Sequence, residues 1–300
     1  MDAIQKSMLE KIADLHEVPE GAYNIRSNGA LAGRNTTANI DIVTKQDKPG
    51  IDIIIKPGTK NESVHIPVIL SESGLNDCVY NDFYIGEGAD VVIVAGCGIH
   101  NCGTDTSEHD GIHTFFIGKN AKVKYIEKHY GEGDGTGEKI LNPTTIVHID
   151  EGGYMEMEGV DSTIRDTQAD LKDGASLVIK EKIMTHGNQT AETNFVVNLD
   201  GVDSSANVIS RSVAKDSSKQ VFNSKICGNN KCYGHTECDA ILMDNGHVNA
   251  VPSLEANDLD ASLIHEAAIG KIAGEQLIKL MTLGLTEHEA EEQIINGFMK

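Results

Sequence analysis

One short unit recurs along this chain and limits what it can fold into: an aliphatic residue, a polar or glycine turn, a small residue, then a strand of period two. It reads Ile85-Gly86-Glu87-Gly88-Ala89-Asp90-Val91, Ile117-Gly118-Lys119-Asn120-Ala121-Lys122-Val123, Ile149-Asp150-Glu151-Gly152-Gly153-Tyr154-Met155, Leu171-Lys172-Asp173-Gly174-Ala175-Ser176-Leu177 and Met243-Asp244-Asn245-Gly246-His247-Val248. An imperfect copy at Leu199-Asp200-Gly201 carries extra residues before Ala206-Asn207-Val208. Copies are spaced from about twenty to about forty residues, so either the coils differ in loop length or one copy spans two of them. Turn-then-strand units without helices between them are the signature of a β-solenoid, in which each coil buries its aliphatics only against its neighbours. Period-two segments already begin at Ile40-Asp41-Ile42-Val43, Ile51-Asp52-Ile53-Ile54-Ile55 and Val64-His65-Ile66-Pro67-Val68. The expectation is an all-β-dominated chain, a parallel (right-handed) β-helix over residues 31–265, with an irregular β-sandwich as the alternative on the repeat alone.

Helices are expected only at the two ends. Residues 1–30 hold an N-terminal helix and lead-in, with Ile4, Met8, Ile12 and Leu15 at near-helical spacing over 2–16 and Pro19 and Gly21 as the stop. Residues 266–300 form a C-terminal helical segment. In it Leu277, Leu280 and Met281 make one stripe closed by Gly284, and Thr286-Glu287-His288-Glu289 is a capping box opening a second helix with Ala290, Ile294 and Phe298 on one side. Two such short helices must dock on the last coil, on a second copy, or on a partner protein.

Composition narrows the function. Thirty glycines, no tryptophan and 4% aromatic residues require a mostly aliphatic core. A formal charge of -21 repels nucleic acid and anionic membrane surfaces, so neither is an expected partner. No apolar run approaches the ~20 residues of a membrane helix, and the N-terminal residues lack a signal-peptide hydrophobic region, so a cytoplasmic location is expected. Six cysteines in such a chain read as free, metal-bound or redox-active rather than as a disulfide framework. With no Gly-x-x-x-x-Gly-Lys-Ser/Thr, Gly-x-Ser-x-Gly or His-Glu-x-x-His motif, any ATP-driven work needs a separate subunit.

Chemistry-bearing residues concentrate between Cys227 and Glu266. Cys227, Cys232 and Cys238 are followed by Pro252-Ser253-Leu254-Glu255 and His265-Glu266-Ala267, and thiolates, an imidazole and a carboxylate make the ligand set of a transition-metal or iron–sulfur site. Cys-Asp before an aliphatic run, Pro-x-Leu-Glu, His-Glu-Ala, Lys-Ile, Glu-Gln-Leu and a closing Gly-Leu with an acidic helix resemble, in order, the C-terminal third of the SufB/SufD iron–sulfur cluster assembly scaffolds. The chain looks most like the compact, archaeal-type single-gene version. The multi-cysteine N-terminal motif of some long members is missing.

The resemblance implies a β-helix and a non-ATPase scaffold rather than an enzyme. Such a scaffold takes sulfur from a donor and iron, builds a transient iron–sulfur cluster at a dimer interface, and passes it to apo-proteins under control of an ABC-type ATPase. A single gene implies a homodimer, and the C-terminal helices are implied to dock the ATPase. A β-helix carbohydrate-active enzyme or acyltransferase is the alternative.

Spacing alone favours Cys238 as a buried small hydrophobe before Ala240, Ile241 and Leu242; the resemblance instead makes it the cysteine needed for assembly, where access and a depressed pKa are required. His265 and Glu266 are adjacent, so they diverge in a strand and converge at a helix start. The resemblance gives one or the other a catalytic role, and with Cys238 they are the expected ligands of iron and cluster. Cys238 and Glu266, about one coil apart, are expected to lie near each other, with a cation between thiolate and carboxylate. A second constellation, Cys97, His100, Cys102, His109 and His113, can supply soft metal ligands or consist of surface histidines and silent cysteines. Cys227 and Cys232 flank a turn and either join Cys238 or have no function. Asp110, Glu127, Asp161 and Asp166 are too scattered for an acid/base pair, and His16 and His186 read as surface residues.

Overall fold

The computed structural model describes residues 3–13, 15 and 19–300, so His16 lies outside the described residues. Helix α1 spans Ala3–Ala13 and buries Met8, Leu9, Ile12 and Ala13, while Ile4 faces outward. An antiparallel hairpin, β1 (Ala22–Ser27) and β2 (Ala30–Asn35), starts one sheet; β3 (Ile40–Thr44) starts the other, antiparallel to β4 (Gly50–Ile55).

From β4 onward each coil gives one strand to each of two ten-stranded sheets, making a parallel β-solenoid of about 8 turns. The pairs are β4 with β5 (Lys60–Leu70), β6 (Asn76–Ile85) with β7 (Asp90–His100), and β8 (Ser107–Ile117) with β9 (Lys122–Glu132). A short β10 (Lys139–Leu141) pairs with β8 before β11 (Thr144–Ile149) and β12 (Tyr154–Val160) continue. Then come β13 (Ile164–Leu171) and β14 (Ser176–Thr185), β15 (Thr190–Leu199) and β16 (Ser204–Ala214), β17 (Lys219–Gly228) and β18 (Cys232–Leu242), and finally β19 (His247–Ala256) and β20 (Ser262–Gly270). Strands therefore begin at Ala22 and persist to Gly270, on either side of the expected 31–265.

The turn chemistry explains the repeat. The third turn residue takes a left-handed conformation, supplied by Gly88, Asn120, Gly152 and Gly174, where an ordinary side chain is disfavoured. The small residue behind it, Ala89, Ala121 or Ala175, is fully buried inside the corner. Coils advance by 32 residues where Val91 faces Val123 and Val123 faces Met155, by only 22 where Met155 faces Leu177, and by 29 where Leu177 faces Ala206. The turn at Met243–Gly246 sits at the opposite edge from the others, leading from β18 to β19. The first edge also holds the turns at 56–59 and 229–231, which lack the repeat's pattern; at the second the Asn229 N–H bonds the Leu199 carbonyl. Both edges use the same turn chemistry, which produced the irregular spacing in sequence.

Inside, alternating aliphatics stack coil upon coil, and the few aromatics are concentrated: Phe83 and Phe115 are fully buried and stack with centroids 4.3 Å apart. Each such ring contributes about 1.5–3 kcal/mol by leaving water. Helix α1 packs on β5, β7 and β9. At the other end, α2 (Gly274–Met281) buries no side chain, and α3 (Glu287–Phe298), opened by the Thr286/Glu289 capping box, buries Ala290 and Ile295.

Candidate functional site

Strand alternation decides which residues of the last two coils can meet. Along β18, Cys232, Gly234, Thr236, Cys238 and Ala240 point inward, while His235, Glu237 and Asp239 point outward. In the parallel register Thr236 faces His265, Glu237 faces Glu266 and Cys238 faces Ala267. His265 therefore shares the inner face with Cys238, and Glu266 belongs to the outer face. Because β20 is a strand and not a helix start, the adjacent pair diverges, and the structure does not bring Cys238 and Glu266 together.

Cys238 is 1% exposed, inside the main core. Burial pushes its thiol up to about 12, and Glu181 and Asp239 push the same way. The sequence-based expectation of an accessible cysteine with a depressed pKa is overturned for the single chain: desolvation and two nearby carboxylates all disfavour a thiolate. His265 is half-buried, and its Nδ1 is buried without a hydrogen-bond partner.

On the outer face, His235, Glu237 and Glu266 bring one nitrogen and two carboxylate oxygens within 4.8 Å of one another. The Glu266 Oε2 is 3.6 Å from the His235 Nε2. The other ring nitrogen, Nδ1, is 2.9 Å from Asn207 Oδ1; as donor there it leaves the Nε2 lone pair aimed at the carboxylates. Burial, with Asp239 alongside, raises the Glu237 carboxyl above its ordinary range, so a cation would relieve crowded negative charge. One imidazole with two carboxylates suits iron and other divalent first-row metals. His235 and Glu237 escaped sequence reading: their spacing of two puts them on one face of β18, but only the strand register brings Glu266 to that face.

The remaining cysteines disperse. Cys232 packs inside the core, and Cys227 donates to Glu255 at 3.5 Å on the outer side of the second sheet. Burial raises both thiols. The second constellation divides as well. Cys97 is buried with Val68, Leu70, Ile99 and Leu141, and burial first, then Asp77 and Glu127, push its thiol well above the ordinary range. His109 and His113 point inward from β8, whereas His100 and the exposed Cys102 face out, so these five do not form one metal site.

The interior instead carries a polar network through the middle coils. His113 Nδ1 lies 2.6 Å from the Tyr125 hydroxyl, which donates to Glu127 at 2.9 Å. The Arg165 Nη1 donates to Glu127 at 2.6 Å, and its Nε lies 3.5 Å from Glu181. Thr193 and Ser210 each donate to Glu181 at 2.9 Å, and Ser210 faces Cys238 across the next coil. Burial opposes ionisation of Glu127, but Arg165, His129 and His113 outweigh it and hold the carboxyl at about 2. At Glu181 burial wins and raises the carboxyl, since the guanidinium is directed at Glu127. Glu127, set aside in sequence as scattered, is brought to Arg165 by coil stacking; its parity with Val123 and Tyr125 already put it on the inner face.

Residues 79–298 match the family model described as SUF system FeS cluster assembly, SufBD core domain. An iron–sulfur cluster assembly SufBD family protein of Archaeoglobus fulgidus is 32% identical over 265 residues, covering 85% of this chain and 69% of the relative. A protein of the same description from Methanocaldococcus jannaschii is 31% identical over 255 residues, covering 82% and 79%. One from Pyrococcus horikoshii is 28% identical over 285 residues, covering 92% and 86%.

Proposed function

Since the chain belongs to the SufBD family of SUF-system iron–sulfur cluster assembly proteins, we propose that it is the non-ATPase scaffold on which iron and sulfur are combined, that it works as a homodimer joined at its last coil, and that a partner ABC-type ATPase controls release of the cluster to apo-proteins. One observation carries this reading. The last two coils, which bear Glu266, His235 and Glu237 outside and Cys238 and His265 inside, close the solenoid, and their strands β19 and β20 end the two sheets with one edge free. A second copy seated there would turn one set of ligands into two. Iron is cargo in this scheme. Glu266 and the imidazole of His235 receive it from the outer side, and Cys238 accepts sulfur once docking or coil opening exposes it.

The test is anaerobic reconstitution with ferrous iron and sulfide, followed by visible absorption, sulfide quantification and transfer to an apo-ferredoxin. Glu266→Ala and Cys238→Ala are each expected to lose most of the cluster, with Cys238→Ala the more severe, and His235→Ala to weaken iron retention at least several-fold. Wild-type yields from Cys238→Ala and Glu266→Ala would remove the last two coils from the mechanism.

A further inference from the structure

Two loops at the α1 end of the solenoid lie directly on each other. Residues 101–106 follow β7, and 133–138 follow β9 one coil later. The Asn101 N–H bonds the Glu132 carbonyl at 2.9 Å, the Gly135 N–H the Asn101 carbonyl at 3.2 Å, and the Gly137 N–H the Gly103 carbonyl at 3.1 Å. A Cβ at Gly135 would come within 2.3 Å of the Gly103 carbonyl oxygen, and Gly133 adopts a φ of +107°, so this backbone-on-backbone contact depends on glycine. Asn101, fully buried, fixes the upper loop through the Asp105 carbonyl at 2.8 Å.

Held on this platform are a thiol, an imidazole and a carboxylate in series. Cys102 Sγ, exposed to solvent, is 3.1 Å from His100 Nε2, and His100 Nδ1 is 3.3 Å from Glu132 Oε1. Glu132 is in turn anchored by Lys11 of α1, which also bonds the Tyr130 hydroxyl. With Nδ1–H donating to Glu132, Nε2 presents its lone pair to the thiol, the arrangement of nucleophile, base and orienting group that activates cysteines. The other charged groups facing the thiol are Asp134, whose carboxyl competes with His100 Nε2 for the single S–H and is held below its ordinary range when that proton points to it, and Lys139 beside Asp134.

We propose that Cys102 is an activated surface nucleophile whose substrates are low-molecular-weight compounds with a sulfur–sulfur bond, disulfides or persulfides. In the reaction the Cys102 proton passes to His100 Nε2, and Glu132 stabilises the resulting imidazolium. The thiolate attacks one sulfur of R–S–S–R′; a new bond forms between Sγ and that sulfur, the original S–S bond breaks, and its electron pair leaves on R′–S⁻, which takes the proton back from His100. No net oxidation occurs, since one S–S bond replaces another. The site spans the second and third coils and the Glu266 group the last two, so this activity stands or falls apart from cluster assembly.

The experiment treats the reduced full chain with glutathione disulfide in one arm and glutathione persulfide in the other, across pH 5–9, and locates adducts by peptide mass mapping. Cys102 is expected to react first among the six cysteines, with a rate at pH 6 about tenfold or more above that of His100→Gln. Glu132→Gln is expected to fall between them, and Cys102→Ser to lose the fast adduct. A glutathione adduct identifies the disulfide as substrate, and an added single sulfur identifies the persulfide. If neither forms at Cys102, if another cysteine reacts first, or if His100→Gln matches the wild-type rate at every pH, the proposal is wrong.

Discussion

His113 and His129 sit among charged groups inside the solenoid, and burial pushes each down to about 4 against a nearby Glu127 that favours protonation. An unfolded chain takes up both protons below about pH 6.5, whereas the folded chain does so only near 4; stability present above 6.5 is therefore lost as pH falls through that window. Each histidine contributes on the order of 3 kcal/mol to that loss. Glu127, depressed to about 2, extends the loss below its ordinary range, while Glu181, raised by burial, acts in the opposite sense. Urea unfolding at pH 7, 5.5 and 4.5 should show a steady decline, and His129→Gln should flatten it. An unchanged slope in that variant would assign the proton uptake elsewhere.

Among the elements, α2 has the least support from the chain itself. Leu277 and Leu280, two of the three residues of the anticipated stripe, are half-buried, whereas Ile278 is 62% and Leu283 77% exposed. If this segment seats the ATPase, those two are the anchors that a partner groove would desolvate. Replacing both by Asp should abolish co-purification with the ATPase while the circular-dichroism spectrum stays β-rich; retained binding would move the interface off α2. The helix pair was readable in sequence because Gly284 (φ +99°) and the Thr286/Glu289 box have local chemistry. Which side of each helix is covered was not, since that depends on what the chain's end reaches, such as the Lys300 carbonyl bonded by Lys182. The strands behave alike: turn residues revealed the solenoid, but the 22-residue coil and the shared turn chemistry of the two edges hid the register. Without register, Cys238 and Glu266 could not be assigned to opposite faces.

For the molecule as a whole, the two ends differ. The first coils are covered by α1 and the antiparallel hairpin, whereas on β19 and β20 the apolar Val251, Leu254, Ile264 and Ile269 are each 37–49% exposed beside unpaired strand edges. Such an edge invites pairing with another chain. Light scattering should give about twice 32.3 kDa at micromolar concentration, and Val251→Lys with Ile269→Lys should return the protein toward monomer. A wild-type monomer would overturn the homodimer reading. The charged pair deep inside this stack has one more consequence. Near-identical coils pose a counting problem: a strand displaced by one coil would still find aliphatics to lie against, so burial alone poorly distinguishes right from wrong stacking. Arg165 can be neutralised only where β13 stands in its proper place beyond Glu127. A slipped stack would strand a desolvated guanidinium, at about 3–5 kcal/mol. A miscounted stack is thus disfavoured by electrostatics where burial alone is nearly indifferent.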